Sequence, residues 1–339
     1  MQPQSTKQRG VGALLRLLLV LLFLLVVCDK HPAPQSNTAS KAQLRLKLKA
    51  GEAWRHWTLT EQTITQQVMD TAEAIQQVVG IGGVMEVLGV DSNGAAHIRY
   101  TYDSITFGQT IGDRKVSFNS ADSAADSGGR VPPIVAIYQA MVGTAFTMKM
   151  LPNGTIAELA GLDSLAKQIV EKATANPVAA AAAAPEAMLV GIKEMVSSQA
   201  LRSNLQRTLA MYPPKPVAPG DTWSNALMLT AGIPLEIITT HTVKGMDSSR
   251  MMVDVRSVIA ASNRAGSMAI SGVRFRYNMA GTQTGAMEID RASGWPASSK
   301  FHQTLSGFIE VQGVDSSDGI PSKIPMDVST TITSMIWKK

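Results

Sequence analysis

Leu44, Leu46 and Leu48 alternate with Arg45, Lys47 and Lys49, the period of a half-buried strand, and Ala50-Gly51 turns the chain into a second one, Trp54 to Ile64. Gly80-Ile81-Gly82-Gly83 reads as a bend before a hairpin. Its arms are Val84 to Val90 and Ala96 to Phe107, joined by Asp91-Ser92-Asn93-Gly94. Ile98, Tyr100 and Tyr102 share one face, but Ile105 and Phe107 fall out of phase, which predicts a bulge near Asp103-Ser104. Ser117 to Gly129 is poor in apolar residues and reads as an exposed loop. Pro132-Pro133 then opens a short helix, Ile134 to Val142, stopped by Gly143. Thr144 to Met150 and Thr155 to Leu159 form another hairpin across Pro152-Asn153-Gly154.

The period then changes. Leu162, Leu165, Ala166, Ile169 and Val170 recur at helical spacing behind a cap at Asp163 or Ser164. After the alanine run Ala179 to Ala184, a longer amphipathic helix is expected over Glu186 to Met211, with Leu201, Leu205 and Leu209 on its stripe, ended by Tyr212-Pro213-Pro214. From Asp221 on, strands return: Trp223 to Leu229, Leu235 to Val243, Met251 to Ile259, Val273 to Gly281, Gly285 to Ile289, Trp295 to Val311 and Ile324 to Trp337. Most joints are too short for parallel crossovers. The expected fold is therefore α+β: a mainly antiparallel sheet, curved or half-barrel, with two or three helices in the middle of the chain. Residues 43–339 read as a single β-rich domain, divided into a first β half (43–160), a helical segment (161–212) and a second β meander (213–339). Gly51-Glu52-Ala53-Trp54 and Gly220-Asp221-Thr222-Trp223 each lead into a long strand, a weak internal echo.

Ahead of this domain, residues 1–27 have the layout of an export signal. Lys7 and Arg9 precede an uncharged apolar run, Leu17 to Val27, and Asp29-Lys30-His31-Pro32 follows it. As a helix that run reaches about 16 Å, well short of the ~30 Å hydrocarbon core, so an h-region fits better than an anchor. Lys7, Arg9 and Arg16 account for most of the formal charge of +5, leaving too small a surplus for a nucleic-acid face. No nucleic-acid partner is expected. Cys28 is the one cysteine of the 339 residues, which excludes intrachain disulfides and cysteine metal clusters. Leu25-Val26-Val27-Cys28 looks like a bacterial lipobox, in which the thiol is acylated and the signal removed, although Val27 stands where a small residue is usual. Cleavage by an ordinary signal peptidase, or an unprocessed cysteine of the apolar segment, are the other readings. Residues 28–42 form the lipid-anchor cysteine and a flexible tether of Pro, Ser, Ala and polar residues. The expected location is the bacterial cell envelope, with the membrane as partner through Cys28.

Several stretches together resemble a family of uncharacterised bacterial exported lipoproteins, known as a domain of unknown function. They are Leu46-Lys47-Leu48-Lys49-Ala50-Gly51-Glu52, Tyr100-Thr101-Tyr102-Asp103-Ser104-Ile105, Gly143 through Phe146 to Asn153-Gly154-Thr155-Ile156-Ala157-Glu158-Leu159-Ala160-Gly161-Leu162, and Pro213-Pro214-Lys215-Pro216-Val217-Ala218-Pro219-Gly220-Asp221-Thr222-Trp223. The resemblance implies export and anchoring and supplies no catalytic residues. A looser architectural similarity is to periplasmic lipoprotein carriers, whose curved sheets wrap helices around an apolar cavity.

Local chemistry is sparse. No two of His31, His56, His97, His241 and His302 have the spacing of a helical metal pair, and no nucleophile elbow, phosphate loop or dinucleotide fingerprint occurs. No cofactor, metal or catalytic residue is assigned. Carboxylate pairs for a hydrolase would have to come together in space from Asp103, Asp221, Asp254, Glu288 and Asp290. Methionine is abundant, 18 in all, and suits adaptable apolar cavities. Met148, Met150, Met251, Met279 and Met287, with Leu205 and Leu209, are the candidate cavity lining. Three functions follow: a non-catalytic module for a hydrophobic ligand or lipid, a structural or partner-binding envelope lipoprotein without a pocket, and a carboxylate hydrolase.

Overall fold

The computed structural model describes residues 41–68, 71–122, 133–175, 212–229, 235–261, 268–270, 273–312 and 323–339, together with positions 197, 201, 202, 205 and 209. The export signal, Cys28, the alanine run and most of the expected long helix lie outside the described residues. Among the described residues, thirteen strands belong to one sheet. They are β1 (Ala53–Val68), β2 (Thr71–Val90), β3 (Ala96–Ile111), β4 (Arg114–Asn119), β5 (Ala145–Met150), β6 (Ile156–Ala160), β7 (Thr222–Leu229), β8 (Leu235–Met246), β9 (Arg250–Ala261), β10 (Met268–Ile270), β11 (Val273–Asp290), β12 (Pro296–Gln312) and β13 (Lys323–Lys338). The continuous helices among the described residues are α1 (Pro133–Met141) and α2 (Leu162–Thr174), and Leu201, Arg202 and Leu205 are also helical. The main path runs β6-β5-β3-β2-β1-β13-β12-β11-β9-β8-β7, with β4 on β3 and β10 on β11. Every pairing is antiparallel. The fold class is as expected, and one sheet crosses both β halves because β1 pairs with the C-terminal β13.

Several strands are longer than their apolar patterns. Gly80 and Gly82 sit inside β2, not at a bend: their outward face is covered by the ring of Trp57, which a Cβ at Gly80 would meet at 2.6 Å. Gly281 and Gly285 likewise lie within β11, which merges the two expected strands. A Cβ on Gly281 would come 1.8 Å from the Thr304 carbonyl oxygen, and one on Gly285 would come 2.2 Å from the Phe301 ring. Such close approach of neighbouring strands occurs where a sheet coils sharply. The expected loop from Ser117 begins instead in β4, which pairs with β3 up to Thr106↔Asn119. The bulge is where the phase slip puts it: Gly82 faces Ser104 and Gly83 faces Tyr102, so Asp103 is the extra residue.

The sheet curls around its apolar face. Leu44, Leu46 and Leu48 are buried as the alternation requires, but residues 42–48 are a strap and not a ladder strand. Its Leu46 N–H donates to the Pro152 carbonyl of the β5–β6 turn at 2.7 Å, and its Lys47 N–H donates to Ser293 of the β11–β12 turn at 2.8 Å. Those turns belong to opposite arms of the sheet, so the strap draws them together across one end. Gly294, at φ +79, passes so close to Arg45 that a Cβ would sit 2.1 Å from its carbonyl oxygen; only glycine fits. Tyr212 adds a second tie, its N–H donating to Asn153 and its hydroxyl to the Gly294 carbonyl.

Helices α1 and α2 cover one arm. Tyr138 packs on Phe107 with ring centroids 5.2 Å apart, and Leu165, Ala166, Ile169 and Ala173 form the buried stripe of α2. Gly143, at φ +79, ends α1 as expected. The start of α2 differs: Gly161 occupies its N-cap with no side-chain bond, in place of Asp163 or Ser164.

Candidate functional site

The antiparallel register sorts the concave face into transverse rows. One row is polar along its whole length: Asn225, Thr239, Ser257, Gln283, Gln303, Thr330, Gln62, Gln77 and Gln109, one from each strand from β7 to β3 along the main path. Apolar rows flank it about 7 Å away on each side, two residues along every strand. Val255, Phe301, Ile332, Val79 and Phe107 stand on the side of the strap, and Ile237, Ile259, Leu305, Val328, Ile64 and Ile75 on the other. These sides belong to two separate buried clusters, the larger joining the strap, helices and both arms of the sheet, the smaller lying at the opposite strand ends. Glu61, Arg99, Arg256 and Lys300 face outward instead, whereas Glu73, in the inward phase of β2 at the end of the smaller cluster, accepts from Gln66 Nε2 at 3.1 Å. This arrangement is the reverse of a lipid-facing barrel, with its apolar outside and polar lumen.

The polar row is only partly bonded within itself. Gln62 Nε2 donates to Thr330 Oγ1 at 3.1 Å, and the hydroxyls of Thr239 and Ser257 lie 2.9 Å apart. Nε2 of Gln77, Nε2 of Gln109, and both polar side-chain atoms of Gln303 are buried with no hydrogen-bond partner. Gln303 is 1 % exposed and Gln77 2 %. Unmatched amide groups at such depth are costly and rare.

Two histidines lie on the same face, nearer the strap. His56 Nδ1 is 3.3 Å from the Tyr100 hydroxyl, and its Nε2 lies 2.9 Å from Thr58 Oγ1 and 3.2 Å from Ser334 Oγ. Burial lowers its pKa to about 4. His241 stacks on Trp223 with centroids 4.7 Å apart, and burial lowers its pKa to about 4 as well. Both rings are neutral at pH 7; His56 has hydrogen-bond partners at both nitrogens, whereas Nδ1 of His241 is buried without one.

The candidate carboxylates do not converge. Asp103 pairs with Arg55 at 2.9 Å, Asp254 with Lys244 at 3.2 Å, and Glu288 with Arg250, all on the outer face. Asp221 accepts the Ala218 N–H in its turn, and Asp290 accepts those of Ser293 and Ala292. Among the described residues there is no group of three or more His, Cys, Asp or Glu placed to hold a metal, and no helix is long and apolar enough to cross a membrane.

The candidate lining residues divide between the clusters. Met148, Met150, Met251, Met287 and Leu209 are buried in the larger one, Leu205 packs against it, and Met279 is buried in the smaller. Leu209 N–H bonds to the Leu205 carbonyl at helical spacing. The glutamine row went unnoticed in the sequence, although each member stands in the inward phase of its strand, as in Phe301-x-Gln303-x-Leu305 and Ile75-x-Gln77-x-Val79.

Residues 93–296, more than half of the chain, match a protein family described as a family of unknown function (DUF6263). No curated protein matches. Among solved structures, one described as lipid-protein interactions in lipovitellin aligns at 9% identity and a TM-score of 0.43, over 86% of this chain and 26% of that one. OccK7 (OpdD) of Pseudomonas aeruginosa aligns at 6% identity and 0.25, over 85% and 100%. An outer membrane channel of Pseudomonas putida F1 aligns at 7% and 0.21, over 90% and 100%. This chain thus spans about a quarter of the lipovitellin chain. At such scores none of these likenesses assigns an activity.

Proposed function

This chain belongs to the DUF6263 family of unknown function, and we propose that it is an exported envelope protein, anchored by acylation of Cys28, that takes up a hydrophobic ligand against the concave face of its sheet without catalysing a reaction. The observation that carries the reading is the sorting of side chains. Apolar residues of every main strand from β7 to β3 face one enclosed surface, and neither the polar row nor its flanking rows hold a charged residue. The strap closes one end of that surface. Met251 and Met287 on that face, soft and unbranched, suit a surface that reshapes around a guest. Anchoring rests on the sequence alone, on the position of Cys28 directly after Leu17 to Val27.

One observation favours a second reading, a partner-binding envelope lipoprotein. Ile238 and Val258, register partners on β8 and β9, point outward at 50% and 64% exposure, with Met228 also exposed nearby on β7. Mass spectrometry of the full chain extracted from membranes separates the parts of the proposal. An acylated N-terminal Cys28 with co-purifying lipid is expected. An intact Met1 or a bare Cys28 rejects the anchor, and absence of lipid together with failure to take up 1-N-phenylnaphthylamine rejects the ligand.

A further inference from the structure

The polar row asks for something the surrounding side chains do not supply. Gln303, on β12, is 1 % exposed with neither its amide nitrogen nor its oxygen bonded. Gln77, on β2, is 2 % exposed with an unbonded amide nitrogen, and Gln109 beside it on β3 has another. Between Gln303 and Gln77 stand Thr330 and Gln62, which bond to each other. On these three glutamines the unbonded groups are three amide nitrogens and one amide oxygen, so what satisfies them is mainly an acceptor. No Asp, Glu, Lys or Arg belongs to this row or to either flanking row. A carboxylate or phosphate would arrive there without a counter-charge and pay the full desolvation cost. A neutral carbonyl would not. Because apolar rows lie about 7 Å to either side, the matching group is internal to its molecule, with hydrocarbon extending both ways.

We propose that Gln303, Gln77 and Gln109 form a recognition belt for an uncharged lipid whose ester or amide carbonyl lies between two hydrocarbon segments. The inference rests on the hydrophobic-ligand reading above and adds the chemistry of the ligand's middle. Pure hydrocarbon gains only from the apolar rows, and the belt is what distinguishes the carbonyl compound from it.

The test uses two uncharged chains of equal length, N-hexylhexanamide and tridecane, each delivered from cyclodextrin to the full protein. Binding is read by displacement of 1-N-phenylnaphthylamine. The wild type is expected to prefer the amide at least tenfold. In the Gln77→Leu/Gln303→Leu variant the preference should fall below threefold while tridecane binds as well as before. Removing unmatched buried amides should also raise the melting temperature, and the single Gln303→Met variant serves if the double one does not fold. Equal affinities in the wild type, or a preference that survives both variants, overturns the belt and leaves hydrophobic uptake standing. Failure of both compounds to bind overturns the uptake reading and the belt with it. An ester of the same length, hexyl hexanoate, identifies the source: binding as tight as the amide assigns the carbonyl alone, and weaker binding assigns the amide N–H to Gln303 Oε1.

Discussion

Acid should destabilise this protein through two neutral histidines before most carboxylates are touched. His56 and His241 are 6% and 5% exposed, and burial lowers each pKa from 6.5 to about 4. The folded chain therefore resists protonation that the unfolded chain accepts. Stability from this source is complete above pH 6.5, is lost as pH falls toward 4, and levels off below. At pH 5 the unfolded state has gained nearly all of its proton and the folded state almost none, which costs about 2 kcal/mol per ring and about 4 kcal/mol for the pair. Urea unfolding followed by tryptophan fluorescence at pH 7.5 and 5.0 reads the difference directly. His56→Gln and His241→Gln remove the titration while keeping a polar side chain in place, so each single variant should lose about half of the acid effect and the double variant nearly all. A double variant with the same pH dependence as the wild type would refute the assignment, as would a resonance of His56 or His241 in the folded protein titrating above pH 6.

Five further substitutions test the fold. Gly281→Ala places a methyl 1.8 Å from the Thr304 carbonyl oxygen and should cost more than about 3 kcal/mol in a thermal melt, whereas Gly89→Ala, with nothing within 4 Å, should fall within about 0.5 kcal/mol. Leu46→Ala in the strap should cost about 2–4 kcal/mol by the same measurement, against less than about 1 kcal/mol for Lys47→Ala, whose Nζ bond to the Arg291 carbonyl is exposed. Arg55→Ala breaks an ion pair whose arginine is 42% exposed and should change stability by less than about 1 kcal/mol; a larger loss would mean that the Asp103 bulge depends on it.

Where side-chain period and turn chemistry agree, the sequence is readable. Asn93-Gly94 and Asn153-Gly154 mark their hairpins, with both glycines at positive φ, and the phase slip before Ile105 locates the extra Asp103. Strands stay hidden where glycine interrupts the period. Gly80, Gly82, Gly281 and Gly285 look like breaks, but they are places where a ring or a neighbouring strand occupies the space of a side chain. The leucine alternation at 44–48 correctly gives a buried face and wrongly suggests a ladder, because burial period says nothing about where backbone hydrogen bonds go. The polar row was present as single glutamines inside apolar alternations. What makes it a row is register across nine strands, a long-range property that no local window contains.

The central claim, that the concave face receives a hydrophobic guest, is tested most directly by methyl NMR of the chain labelled at methionine, titrated with 1-N-phenylnaphthylamine. Met251, Met279 and Met287 lie buried on that face, while Met228 and Met335 are exposed outside at 38% and 41%. The account predicts saturable shifts at the buried methyls with the two outer ones unmoved. Shifts confined to Met228 and Met335, or none at saturating probe, would contradict it.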